Sequence, residues 1–138
     1  MSIRIKSIFI SAIAFLCMFI LACGMPNANV AISKMEKYWQ YYRIENYDSL
    51  RTFYIPKGDN PNERLNSLFG AFRNLHKNYG SVRSIKLIEM TTSKSLDNGD
   101  RIELTYEVEF EKEVINNQFS FAKDEDGKFK ILDQSFGQ

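Results

Sequence analysis

The spacing of apolar residues changes once along this chain, near Gly80, and the change predicts two layers of structure. Before it, apolar side chains recur every three or four residues; after it they alternate with polar ones. Ala31, Met35, Tyr38, Trp39 and Tyr42 fall at i, i+4, i+7, i+8 and i+11, one face of a helix beginning around Val30. Ser33, Lys34, Glu36, Lys37, Gln40 and Arg43 take the other face. A short second helix is predicted over Tyr47 to Tyr54, with Tyr47, Leu50, Phe53 and Tyr54 inward, stopped by Pro56-Lys57-Gly58-Asp59. A third follows, with Asn60 as cap, Pro61 at the first helical position and Glu63 completing a capping box. Leu65, Leu68, Phe69, Phe72, Leu75 and Tyr79 form its stripe, and Gly80 suits the left-handed position after its end.

Beyond Val82 the period falls to two. Ser84 to Ser95 reads as a strand with Ile85 and Leu87 on one face and Ile88 and Met90 on the other. Asn98-Gly99 is a strong two-residue hairpin signal. Ile102, Leu104, Tyr106, Val108 and Phe110 then alternate with Glu103, Thr105, Glu107, Glu109 and Glu111, a half-solvated antiparallel strand. Asn116-Asn117 is expected to turn the chain, Phe119 and Phe121 to lie on a third strand, and Phe129 and Ile131 on a fourth after the turn Asp124-Glu125-Asp126-Gly127. Helices followed by a four-stranded meander predict an α+β fold, with N-terminal helices packed on a curved, cone-like antiparallel sheet.

The first residues follow neither period. Arg4 and Lys6 precede an apolar run from Ile8 to Ala22, too short for a comfortable membrane span and shaped like an export signal. Its ending, Leu21-Ala22-Cys23-Gly24, resembles the lipobox of bacterial lipoproteins, in which the cysteine is lipidated and becomes the new N-terminus. The resemblance implies a signal peptide over 1–22 and a lipid anchor at Cys23. A polar tether then covers 23–29, and a single domain covers 30–138. Such an anchor holds the protein to a membrane, since two or more acyl chains bind stably. The site is extracytoplasmic, and it is the outer membrane facing the periplasm where the cell has two. Cys17 leaves with the signal and Cys23 takes the lipid, so no thiol remains for a disulfide or a metal.

Charge removes one class of partner. The chain has 18 basic and 17 acidic residues; without Arg4 and Lys6 the balance is 16 to 17, a net charge of −1. A near-neutral domain with scattered basic residues has no electrostatic footprint for nucleic acid.

The domain resembles the small lipid-anchored members of the nuclear-transport-factor-like superfamily, which includes ketosteroid isomerases and has a cystatin-like α+β fold. The likeness rests on Tyr38-Trp39-Gln40-Tyr41-Tyr42, on Asn46-Tyr47-Asp48-Ser49-Leu50, on Tyr79-Gly80 and on Asp126-Gly127-Lys128-Phe129-Lys130-Ile131. It implies a pocket between helices and sheet that is an active site in some members and filled by side chains in others.

Candidate chemistry is sparse. His76, the only histidine, lies on the core-facing stripe of the third helix, either as a pocket acid–base or as a histidine charged near the helix C-terminus. No second residue is obviously paired with it. Glu103, Glu107, Glu109 and Glu111 could hold a cation, but are expected to pair across strands with Lys86, Lys94, Lys128 or Lys130. A calcium loop at Asp124 to Gly127 would need a ligand at Ala122, which has none, so a turn is expected and no metal or other cofactor. The aromatic residues Tyr38, Trp39, Tyr41 and Tyr42, with His76, are the best candidates for ligand or partner contact, and Tyr41 should be the most exposed of them. The leading expectation is a lipid-anchored envelope module, non-catalytic, binding an envelope protein or a small apolar ligand. The alternatives are a small hydrolase or isomerase using His76, and an immunity or inhibitor lipoprotein.

Overall fold

The structure, a computed structural model, describes residues 26–95 and 99–137. The leader, Cys23 and Asn98 lie outside them. Three helices precede four strands: α1 (Pro26–Arg43), α2 (Tyr47–Arg51), α3 (Pro61–Tyr79), β1 (Val82–Ser95), β2 (Gly99–Phe110), β3 (Val114–Lys123) and β4 (Phe129–Gly137). The strands pair antiparallel in the order β1-β2-β3-β4, so the fold is α+β with the helices on one face of a meander. No helix among the described residues is long and apolar enough to cross a membrane.

The apolar periods place the core. Ala31, Met35, Tyr38, Trp39 and Tyr42 of α1 are buried against Leu104, Tyr106, Val108 and Phe110 of β2 and Ile115, Phe119 and Phe121 of β3. From α3 come Leu65, Phe69 and Phe72, while Leu68, Leu75 and Tyr79 pack at the margin. The rings meet edge-on more often than stacked: Tyr38 to Phe119 at 5.3 Å, Trp39 to Phe119 at 5.5 Å and Tyr42 to Phe72 at 5.0 Å. Such pairs add roughly 0.5–1.5 kcal/mol each beyond their buried area.

Several boundaries differ from the sequence reading. Helix α1 starts at Pro26, so residues 26–29, expected in the tether, form its first turn, with Ala28 fully buried. Helix α2 stops at Arg51 because the following residues bond elsewhere: Ile55 N–H donates to Ile131 O and Ile131 N–H to Phe53 O, both at 2.8 Å. At α3 the capping box is not formed. The Asn60 amide donates to Glu63 Oε2 at 2.8 Å and leaves the helix N–H groups uncapped by a side chain. Gly80 does end the helix with φ of 85°, its N–H on His76 O at 2.9 Å. A Cβ there would lie 2.4 Å from Glu111 Oε2, the end of an exposed side chain that can turn aside, so it is the backbone conformation that calls for glycine.

Two corrections concern the sheet. Asn116 and Asn117 are not a turn but lie inside β3; the chain turns at 111–113, where Phe110 N–H donates to Glu113 O at 2.8 Å. Alternation decides it. Ile115, Asn117, Phe119 and Phe121 all point inward and are buried, and a turn at 116–117 would break that set. In β1 the register slips between Leu87 and Glu89, leaving Ile88 as the extra residue of a bulge. Leu87 therefore opposes Tyr106 and Met90 opposes Leu104, which puts Met90 on the same face as Ile85 and Leu87, not the opposite one. Of the hairpin signal Asn98-Gly99, Gly99 has φ of 69° and opens β2 opposite Ser95, while Asn98 lies outside the described residues.

Candidate functional site

Most of the aromatic candidates are structural. Tyr38 is fully buried and Tyr42 nearly so, in the space where the resemblance places a pocket. That space is filled by Tyr38, Tyr42, Phe72 and Phe119. Burial raises the phenols of Tyr38, Tyr42 and Tyr54 well above their ordinary pKa, chiefly because the phenolate would lose its solvation. Tyr41, half-buried on the outer flank of α1, rests its ring on Phe53 at 6.2 Å.

A polar network crosses this core that sequence reasoning missed. The Tyr38 and Tyr54 hydroxyls are 2.8 Å apart, and both reach Gln134 Oε1, at 3.2 and 2.5 Å. The Gln134 amide in turn donates to Asn117 Oδ1 at 3.1 Å. The only sequence signal was an asparagine at an inward position of an apolar alternation, since its partner lies on another strand.

His76 borders a surface cleft of about 370 Å³ with Glu45, Arg73, Lys77, Gly80, Ser81 and Glu111. Its ring lies 5.0 Å from Tyr42 and 5.7 Å from Phe110. Nε2 is buried without a hydrogen-bond partner. Desolvation lowers its pKa, against a smaller upward pull from Glu45, so the imidazole is held neutral rather than charged by the helix end. The carboxylates of the cleft share its wall without orienting the ring. This arrangement supplies an unpartnered imidazole, not an acid–base pair.

The glutamates and the acidic turn have local uses. Lys86 stands opposite Glu107, and Glu109 accepts from Ser84 Oγ at 2.8 Å. Asp124 Oδ1 accepts the N–H groups of Asp126 and Lys128, at 3.0 and 2.8 Å. The Lys128 N–H is the main cause of its lowered pKa, followed by Lys130 at 3.4 Å. Among the described residues no three His, Cys, Asp or Glu side chains gather as metal ligands would.

An apolar groove of about 350 Å³ lies between α1 and the β1–β2 edge of the sheet. Ile32 and Trp39 form the helix wall, Ile85, Leu87 and Tyr106 the floor, and Glu36, Gln40 and Arg43 the rim. It exists because α1 lies over the middle of the sheet and leaves the inner face of β1 open: no described residue of β1 is fully buried. Ile85 and Leu87, two residues apart, share that face by ordinary alternation, and the bulge at Ile88 brings Met90 onto it as well. Trp39 is only 6% exposed, yet its indole N–H has no acceptor. Burial pushes the neighbouring Tyr106 phenol up to about 12, with Glu36 adding to it. A second cleft of about 300 Å³ on the outer face is polar, lined by Arg101, Glu103, Gln118, Ser120 and residues of β4.

No protein-family model matches the chain, and no curated protein does. Among solved structures it is similar to Bd1075 of Bdellovibrio bacteriovorus, with a TM-score of 0.52 and 17% identity over 78% of this chain and 39% of that one. The helical cell shape determining protein Pgp2 of Campylobacter jejuni gives a TM-score of 0.47 at 13% identity, over 73% of this chain and 38% of that one. The likeness to Bd1075 is one of fold, and this chain spans about two fifths of that protein's length.

Proposed function

We propose that this chain is a lipid-anchored, extracytoplasmic binding module, non-catalytic, that takes an apolar segment of a partner protein in the groove between α1 and β1. The observation that carries the reading is Trp39. Its ring is almost wholly buried, yet it forms one wall of the groove together with the apolar Ile32, Ile85, Leu87 and Tyr106. A segment with apolar side chains would cover these residues and remove their remaining apolar area from water. The filled space between helices and sheet favours a surface partner over a small apolar ligand held inside. The unpartnered His76 gives no support to the hydrolase or isomerase reading.

Trp39 is the single tryptophan of the chain, so its fluorescence reports on the groove. Peptides selected from a random library on the full chain in detergent micelles should shift its emission as they bind. Leu87→Asp should weaken them roughly a hundred-fold, the cost of a charge against an apolar ligand face. Selected peptides that leave Trp39 unchanged, or that bind Leu87→Asp equally well, would place the contact elsewhere.

The address and the family belong to the same proposal. It holds that the module is a nuclear-transport-factor-like lipoprotein, supported by the order of its elements and by the Cys23-Gly24 leader ending. Labelled palmitate should enter the full chain in bacteria and be lost in Cys23→Ala; equal labelling of both would remove the anchor.

A further inference from the structure

The outer edge of β1 complements itself. β1 is an edge strand of 14 residues without proline, so each residue keeps its N–H. Among the described residues nothing pairs with its free side. The register with β2 puts Ile85, Leu87 and Met90 on the inner face and Lys86, Glu89 and Thr91 on the outer one. Laid antiparallel against a second β1, with a twofold axis between Leu87 and Ile88, the strand sets Lys86 opposite Glu89, Ile85 opposite Met90 and Ser84 opposite Thr91. Each pair shares a face, and no like charges meet.

We propose that this chain forms a homodimer in which β1 pairs antiparallel with β1 of a second copy in that register, joining two meanders into one continuous sheet. The bulge is the decisive feature. Without the extra residue at Ile88, Lys86 and Glu89 would lie on opposite faces and could not meet across a twofold axis normal to the sheet. Bulges commonly guard sheet edges against such pairing; this one makes the edge match its own copy. Ile88, 46% exposed, comes to the axis beside Leu87 of the second copy. The inference goes beyond the groove reading, because it uses the strand's outer edge and the outer-face charges rather than the groove.

The test measures the mass of the full chain in detergent micelles at about 10 μM, where a micromolar dimer is populated. Wild type should be a dimer. Lys86→Glu and Glu89→Lys each create two like-charge contacts through the twofold axis and should weaken association roughly ten-fold. The double variant restores opposite charges and should return to the wild-type dimer. A monomeric wild type, single variants without effect, or a double variant no better than the singles would each overturn the proposal. Register is read separately by oxidative cross-linking, with the unsubstituted chain as control for Cys17 and Cys23. Ile88→Cys should cross-link across the axis. Thr92→Cys should not, because its two copies would lie roughly 30 Å apart at about 3.3 Å per residue. The opposite result would also overturn it. Neither charge variant alters a groove side chain, so failure here leaves the peptide experiment independent.

Discussion

The two edges of the sheet are built on opposite plans. Along β4 the residues after α2 act as a strap: Ile55 and Phe53 bond to Ile131 on both sides of the Tyr54 bridge. The strap is fixed from within by the Tyr54 hydroxyl on Gln134 and Tyr38. Along β1 there is no strap among the described residues, and the strand lies at the margin of the core. A sheet edge is a liability unless it is covered, short, or used. β4 is covered at Ile131, and that cover is part of the core. β1 is long and open, and its charges match a second copy of themselves. The contrast separates what this chain needs in order to fold from what it has left over for contact.

That contrast can be broken most severely by alkali. Tyr38, Tyr42 and Tyr54 are held by burial well above the ordinary value of 10.0, and Tyr106 near 12. The folded state therefore keeps protons that the unfolded chain releases. Stability is fully present below about pH 10 and lost as pH climbs, by up to about 1.4 kcal/mol per unit for each such phenol. Urea unfolding between about pH 9 and pH 12 should show a loss of several kcal/mol; a flat profile would mean the tyrosines are not buried as described. Next comes Tyr54→Ala, which removes a buried ring and the clamp on the covered edge together. It should cost about 4 kcal/mol, and amide exchange should show Ile131 N–H losing protection along with it.

Gln134→Leu sharpens the comparison by leaving the strap's backbone intact. It strips the Tyr38 and Tyr54 hydroxyls and Asn117 Oδ1 of a shared partner, for about 2 kcal/mol. A neutral result would show that water replaces the glutamine. The smallest effect belongs to the open edge. Ile88→Lys should shift stability by no more than about 0.5 kcal/mol, while abolishing association through β1. A large loss of stability there would mean that β1 is as much a part of the core as β4.

What could be read from the sequence follows how local each signal is. The stripes of α1 and α3 and the alternation in β2 were legible because their periods come from residues a few positions apart. Asn116-Asn117 misled because asparagine favours turns on local grounds, whereas Asn117 is held by Gln134, 17 positions away in sequence. The bulge at Ile88 was illegible for a related reason: it is defined by β2, not by β1. Of the candidate residues, Trp39 reaches the groove while Tyr38 and Tyr42 fill the core. No periodicity distinguishes them, since all three share one face of α1. Gly70 sits in α3 with nothing within 4 Å of where a Cβ would be, so close packing does not account for it.

Helix α1 opens at Pro26, and Gly24 and Met25 alone separate it from Cys23. That stretch reaches roughly 10 Å at most, a leash shorter than the domain's own radius of about 13 Å. An acylated Cys23 would thus moor the start of α1 against the headgroups. Asn27 on that first turn touches Asp100 at 3.4 Å, which brings the start of β2 to the same level. In the proposed pair the two moorings would stand at opposite ends of the shared strands. Both reach one bilayer only with the twofold axis upright, so the double sheet would ride parallel to the lipid like a raft tied fore and aft.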